Sequence, residues 1–449
     1  MAARNSIAII GGGASGVILA AHLLRSSDPN LRVVLIEKKS RFGRGRAYST
    51  DMPEHQLNVR ARGMSAFAVE PDHFWNWLQQ RGYAKDDPDF FAPRRLYGEY
   101  LGDILDQLTQ QEEKTGRLNL LNAEVLDVLP TASGVEIRLT NGSSIVSRTA
   151  VLAAGHDEAP APAHRHAVRM DGPGDAPFDL DRDVLVLGTG LSMVDVWLSL
   201  QQRGHRGRLI AVSRRGLLPW PHGPGNPVRL DAGDVPLGTD LSYFVRWFRD
   251  LVRLTESRGG HWRDVVDGLR PFNQRIWQSW SPAARRRFLE HTKAWWDIHR
   301  HRMPPAMHAR VSQAVNSGQI LLIAGRVLET RPAGDGFAVR IQTRIPSSEA
   351  EFQVARIYDC SGIVKNVSEG SIGLLRSLID RGLARPDALG IGLDVTTGCA
   401  VVDAEGKASR RLYAVGPLTR GAFFEIDAIP EIRVQCAELA ERLIAQAPA

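Results

Sequence analysis

The chain carries one local design twice: a buried apolar strand, a glycine turn and a helix of apolar periodicity. The first copy is Ser6–Gly16, SIAIIGGGASG, followed by a helix through Val17, Ile18, Leu19, Ala20, Ala21, Leu23 and Leu24. Gly11, Gly13 and Gly16 stand at GxGxxG spacing, and each meets a separate steric demand. The first allows the sharp turn, the second lets a pyrophosphate reach the backbone, and the third lets the helix pack on the strand. The helix opening at Ala14 and Ser15 then presents unpaired N–H groups to an anion. A second strand, Arg32–Ile36, ends at Glu37, about 20 residues past Gly16, where an acid can bind the ribose hydroxyls of an adenine dinucleotide. A strand-to-helix turn with no ligand leaves Glu37 unexplained.

The second copy is Val184–Met193, VLVLGTGLSM. Its strand, Val184–Leu187, meets Gly188, Thr189 and Gly190, and a helix follows from about Ser192 through Gln202. A further strand, Leu209–Val212, ends at Ser213, Arg214 and Arg215. The two copies differ where the ribose would lie. Arginine at the end of the second strand suits a 2′-phosphate, which makes Arg214 and Arg215 candidates for NADPH; solvated arginines are the alternative. Met193 stands where a third small residue is usual, which loosens helix–strand packing. Each copy is followed by alternating segments that read as a small meander: Ala123–Leu129, Gly134–Leu139 and Ser144–Arg148, then Gln319–Thr330, Phe337–Thr343 and Glu351–Val354. A repeated plan predicts an α/β fold of two Rossmann-like, three-layer dinucleotide-binding domains.

The bounds expected are 1–160 for the first domain, 181–355 for the second and 356–449 for the segment after it. Between them Pro160–Pro177 reads as a proline-rich linker. Lys38–Phe67 reads as a long loop, and helices are predicted over Pro71–Arg81, Leu96–Glu113 and Glu431–Ile444. Trp220–Pro304 holds most of the ten tryptophans and reads as a helical cap. Its end, Trp295–Met303, gathers His299, Arg300, His301 and Arg302, which read as a solvated helix end ahead of an anion site.

At 449 residues the chain suggests two or three domains. The net charge of +6 is spread along the chain and not interleaved with aromatics, so no nucleic-acid partner is expected. The three cysteines, Cys360, Cys399 and Cys436, include no CxxC pair, which excludes a local redox dithiol and a zinc knuckle. No long apolar run predicts a membrane span, and the first strand begins about five residues in, so a leader is not expected. Cytoplasmic location follows as an expectation.

The motifs resemble those of the two-dinucleotide-binding flavoproteins, which implies that the second domain is inserted in the first, with 1–160 and 356–449 as the two parts of an outer FAD domain and 181–355 as the NAD(P)H domain. GGGASG with Glu37 is similar to their FAD motif, AAGH (Ala153–His156) and CSG (Cys360–Gly362) to their paired linker motifs, and YAVGP (Tyr413–Pro417) to the late strand near the flavin ribityl chain. Pro417 departs from the Asp that many relatives have there. FGRGRAY (Phe42–Tyr48), HQLNV (His55–Val59), GTGLSMVD (Gly188–Asp195), SRRGLLP (Ser213–Pro219) and PEIRVQ (Pro430–Gln435) resemble a bacterial FAD/NAD(P)-binding family that includes urate hydroxylase-like and L-aspartate N-hydroxylase-like flavin monooxygenases.

That resemblance implies FAD at Gly11, Gly13, Ala14, Ser15, Gly16, Glu37, Lys38, Asn58, Met64, Ser65, Val125, Ala154, Gly155, Gly416 and Ile429. It implies NADPH, or NADH, at Gly188, Thr189, Gly190, Ser192, Met193, Arg214 and Arg215. Asn58 is the candidate catalytic residue, and Arg60 and Arg62 the candidates for a substrate anion; no metal is expected. The implied activity is that of a single-component monooxygenase, in which a flavin C4a-(hydro)peroxide hydroxylates a small anionic or amine-bearing metabolite with molecular oxygen. An NAD(P)H-dependent flavin reductase serving a quinone, thiol or protein is the rival, and a non-catalytic nucleotide-binding redox sensor stands behind both.

Overall fold

A computed structural model describes residues 5–446, apart from 84–86, 88–89, 157–163, 165, 171–174, 363–365 and 371. The chain divides into two compact units. The first comprises Met1–Glu158, Asn273–Gln278 and Val364–Ala449, the second Ala159–Phe272 and Ser279–Ile363.

Among the described residues, fifteen strands occur in chain order. β1 (Ser6–Ile10), β2 (Arg32–Glu37), β3 (Leu118–Asn122), β4 (Val125–Pro130), β5 (Val135–Leu139), β6 (Ser144–Ser147) and β7 (Thr149–Leu152) belong to the first unit. β8 (Val184–Leu187), β9 (Leu209–Ser213), β10 (Ile320–Ala333), β11 (Gly336–Thr343), β12 (Glu349–Val354) and β13 (Arg356–Asp359) belong to the second. β14 (Ala400–Val402) and β15 (Ala408–Ala414) return to the first.

In the first unit the sheet order is β14-β15-β7-β1-β2-β3, parallel throughout except for β14. β1 sits at the centre because all five of its residues are buried, as a parallel strand covered on both faces requires. The helix Ala14–Leu24 packs on the sheet, with nine of its residues buried. β4, β5 and β6 form a separate antiparallel meander. Sheet, helices and meander share one core. β3 escapes the sequence reading: it is an edge strand with asparagines at two of five positions and no fully buried residue, so it shows no apolar period.

The second unit has the order β12-β11-β10-β9-β8-β13. Its meander is not separate, because the long β10 pairs in parallel with β9 through Ile320–Ala324 and antiparallel with β11 from Gly325 onward. β13 pairs with β8, so the strand expected to open the outer domain's return closes the inserted sheet instead. The boundary therefore moves from 355/356 to 363/364. Half of the expected linker Pro160–Pro177 lies outside the described residues; of what is described, Val168 bridges to Tyr358 and belongs to the second unit.

The tryptophan-rich insert is helical, with helices Leu241–Ser257, Trp262–Leu269, Asn273–Ser279, Pro282–Arg287 and Lys293–Arg300. Its segment Asn273–Gln278 is held by the first unit: the buried Trp277 donates from Nε1 to the Gly421 carbonyl at 2.8 Å and stacks on Phe424 with ring centroids 4.9 Å apart. The Trp295–Met303 segment corrects the expectation of a solvated end. Arg300 and Arg302 are 7% and 4% exposed, and Arg302 forms an ion pair with Asp267. Burying a guanidinium requires such a carboxylate, and that partner comes from a different helix.

Candidate functional site

In the first unit a cavity of about 500 Å³ opens at the C-terminal ends of β1 and β2, the place where parallel α/β sheets bind ligands. The strand–turn–helix contributes Gly11, Gly13, Ala14 and Ser15 to its wall, and the end of β2 contributes Glu37, Lys38 and Lys39. Val125 and the turn Ala154-Gly155-His156 after β7 lie opposite, with Pro417, Asp427 and Ile429 from the late segment.

The glycines explain the shape. Gly11 has φ 112°, and a Cβ there would fall on the Ala153 carbonyl oxygen. A Cβ on Gly16 would fall on the Gly11 carbonyl oxygen. Gly16 thus packs the turn and does not line the cavity, in keeping with the third-glycine role.

Glu37 does more than its position suggested. Its Oε2 accepts from the Gly12 backbone N–H at 2.8 Å and its Oε1 from the Lys39 N–H at 2.9 Å. The acid therefore ties the glycine turn to the end of β2 while lining the cavity. Each carboxylate oxygen keeps a second lone pair for a ribose hydroxyl.

Among the other residues named from the sequence, Asn58, Met64, Ser65 and Gly416 are not in the cavity wall. Ser65 is fully buried, and its Oγ donates toward the Phe67 and Glu70 carbonyls while accepting from the Phe67 N–H, so it braces the loop. Met64 is core. Gly416, φ 70°, lies against Ser15, and its N–H donates to Gln435 Oε1 at 2.7 Å; Gln435 in turn donates to Thr419. That network holds the late turn in which Pro417 replaces the usual Asp. Arg62 is exposed, 4.0 Å from Asp72 and 5.5 Å over the Trp75 ring, whereas Arg60 is half-buried.

Sequence reasoning missed Arg44, Arg46, Tyr48, His156 and Asp427, which all line the cavity. His156 had a signal, since it directly follows the AAG turn; the arginines sit in a loop with no period to place them. Burial holds the His156 imidazole below its usual range, with Arg420 and Arg46 pushing the same way and Asp427 opposing. Its Nδ1 is buried and has no partner among the described residues. A dinucleotide fits this cavity: close backbone approach, basic side chains for phosphate, an acid for ribose, and an orphan polar atom awaiting a bond.

In the second unit the equivalent turn has Gly188 at φ 115°, where a Cβ would fall on the Cys360 carbonyl oxygen. Gly190 caps the helix Leu191–Gln202. Thr189 is buried and donates to the Leu217 carbonyl at 2.6 Å, which fixes the segment after β9. Ser192 is exposed at the helix start. The Met193 side chain is wholly buried in the core of this unit, so it fills the helix–strand gap. Arg214 is exposed with no partner among the described residues. Arg215 donates to the His291 carbonyl at 3.0 Å and lies 5.6 Å over the Trp295 ring.

Burial raises all three thiols, Cys360 and Cys399 to about 12 and Cys436 further still. None is disulfide-bonded. No metal-binding cluster occurs among the described residues, and no described helix is long and apolar enough to cross a membrane.

Fold and cavity define an α/β protein with two dinucleotide-binding folds. Residues 8–157 match the family described as FAD-NAD(P)-binding. No curated protein matches the chain by sequence. Among solved structures, the fold is similar to that of ornithine N-hydroxylase from Kutzneria sp. 744, with 14% identity, TM-score 0.66, and 98% of this chain and 99% of that one covered. The cadaverine monooxygenase of Erwinia amylovora gives 13% identity and TM-score 0.67 over 98% and 94%. Bacillithiol disulfide reductase of Staphylococcus aureus gives 13% identity and TM-score 0.56 over 99% of each chain. The scaffold is thus shared by FAD-bound hydroxylating monooxygenases and by a disulfide reductase.

Proposed function

We propose that the chain is an FAD-dependent, NAD(P)H-using monooxygenase that hydroxylates a small metabolite bearing an amine or an anionic group. The observation that carries this reading is the cavity of the first unit, where Glu37 and the unpartnered His156 Nδ1 face a space walled by a glycine turn. Gly11, Gly13, Ala14 and Ser15 would meet the pyrophosphate, Glu37 the ribose, and Arg44 and Arg46 would add positive charge. The turn of the second unit, with Arg214 free beside it, would hold NADPH. FAD, when bound, supplies two-electron acceptance from a nicotinamide and reaction with molecular oxygen. The chain's own part is to bind and orient the nucleotides, with Asn58 as the candidate for a hydrogen bond near the flavin and Arg60 and Arg62 for a substrate anion.

The similarity to N-hydroxylating monooxygenases supports an amine-bearing substrate. A reductase is the second reading, favoured by the likeness to a disulfide reductase. Its thiol-relay version lacks support here, because a relay needs a thiolate and all three thiols are held protonated by burial.

The test is NADPH consumption and oxygen uptake by the FAD-reconstituted protein with ornithine, lysine, cadaverine, aspartate and urate. One of them is expected to stimulate both together and to yield hydroxylated product. Oxidation of NADPH that proceeds only with a quinone or disulfide, or a chain that takes up no FAD, overturns the proposal.

A further inference from the structure

The first unit holds a second cavity, larger than the dinucleotide one, at about 980 Å³. That is near the upper end of the roughly 300–1,000 Å³ typical of small-molecule sites. Four arginines from three separate stretches line it. Arg148 lies between β6 and β7, Arg410 and Arg411 are on β15, and Arg442 is on the helix Ile429–Ala445. The rest of the wall includes hydroxyls such as Thr396 and Ser409, and among the described residues no carboxylate side chain is part of it.

This is unusual for a chain with 56 Lys and Arg against 50 Asp and Glu, where acids are nearly as common as bases. Two of the four arginines are braced. Arg148 donates to the Gln446 and Leu443 carbonyls at 2.8 and 2.9 Å, and Arg411 to the Ala132 carbonyl at 2.6 Å. Carbonyls fix these guanidinium groups without neutralising them. Arg410 and Arg442 are exposed and have no ion-pair partner among the described residues. Two acids outside the wall act on its surroundings: Asp28 on Arg148, and Glu438, with Arg442, on Cys399.

The backbone makes room for this charge. Arg442 lies against Gly398, where a Cβ would sit 2.5 Å from its Nη1, so any side chain would push the guanidinium away. The next residue, Cys399, takes φ 64°, a left-handed conformation that a non-glycine residue adopts only at a cost. Fixed and free guanidiniums around one concavity suit phosphate oxygens, which arginine binds in bidentate fashion.

We infer that this cavity binds a small oligophosphate anion, with two or more phosphate groups, at a site separate from the dinucleotide cavity. Arg148 and Arg411 provide a preset positive wall, and Arg410 and Arg442 close on the ligand. The inference does not rest on the proposed oxidoreductase activity.

Calorimetric titration of the full chain, saturated with FAD, tests it with pyrophosphate, tripolyphosphate and ADP as probes. Saturation keeps these probes out of the dinucleotide cavity of the first unit. In an Arg214→Ala background, which weakens phosphate binding at the turn of the second unit, one site is expected, weakening as salt rises, with affinity lost at least 10-fold in the double variant Arg410→Glu, Arg442→Glu. A charge-matched control, Arg253→Glu with Arg331→Glu, should leave it unchanged. Should the glutamate variant misfold by circular dichroism, Arg410→Gln with Arg442→Gln is read in its place. Equal binding by pyrophosphate and ADP identifies the phosphates alone as the ligand group; preference for ADP extends the site to a nucleoside. No saturable binding, or equal loss in the control variant, overturns the inference. If the chain takes up no FAD, the same variants are titrated without it, so that failure does not decide this one.

Discussion

Glu37 shows how one side chain can serve both the fold and a ligand. Its two oxygens accept from Gly12 and Lys39, so the carboxylate closes the glycine turn before any cofactor arrives. Hydrogen bonds to a charged group contribute about 1.5–3 kcal/mol each. Glu37→Gln keeps the size and removes the charge, and it is expected to weaken FAD binding by roughly 10- to 100-fold. Fluorescence titration of flavin into the stripped protein measures this, and unchanged affinity would show that the carboxylate is a fold device only. The sequence told where Glu37 lies but not that it bonds Gly12, because spacing reports position along the chain and not the side chain's direction. Met193 makes the complementary point. It occupies a motif position, yet the structure uses it as core, since a long apolar side chain at that spot gains more by filling the helix–strand gap than by facing water.

At the scale of elements, what was legible was local. Glycine turns, apolar strands and helical periods depend on neighbours within one or two turns, and β1, β2, β8, β9 and the helices after the turns lie where the pattern puts them. The segment Asn273–Gln278 was not legible, because its place in the first unit is set by Gly421 and Phe424, far away in sequence. Arg302 was misread for the same reason, its partner Asp267 lying on another helix. The end of β9 offers a direct test of the element's role. Arg214 is unengaged, while Arg215 is tied to His291 and Trp295. Arg214→Ala should raise the KM for NADPH about 10-fold, a change of roughly 1.4 kcal/mol, and leave NADH nearly unaffected. Arg215→Ala should impair both nucleotides, because it also loosens the segment behind the turn. Equal effects on NADPH and NADH from Arg214→Ala would remove the 2′-phosphate assignment.

Across the whole molecule, acid sensitivity follows from where the histidines sit. His22, His73 and His156 in the first unit, and His261 and His308 in the second, are all held below the usual value of 6.5, with burial as the leading cause in each. Around His22, Arg25 pushes the same way while Glu70 and the Ala66 backbone oppose. A histidine that stays neutral in the fold takes up a proton more readily when unfolded. Its stabilising contribution is therefore complete above about pH 6.5 and is lost as pH falls through the lower folded values. Carboxylates act in a lower window: Glu112, held down chiefly by its hydrogen bond from Arg117, gives up its contribution only as pH falls below 4.5. Stability should thus decline in two steps on acidification, the histidine step coming first. Both units carry such histidines, so if they unfold separately, both transitions should move. Urea unfolding between pH 7.5 and about 5 measures the first step. His22→Leu suits the comparison, since Nε2 of His22 is buried with no partner and its ring packs edge-on against Phe67 at 5.5 Å. The variant is expected to flatten the decline in the first unit alone. A slope equal to that of the parent, or stability that rises toward pH 5, would mean that these imidazoles gain charge within the fold at no cost.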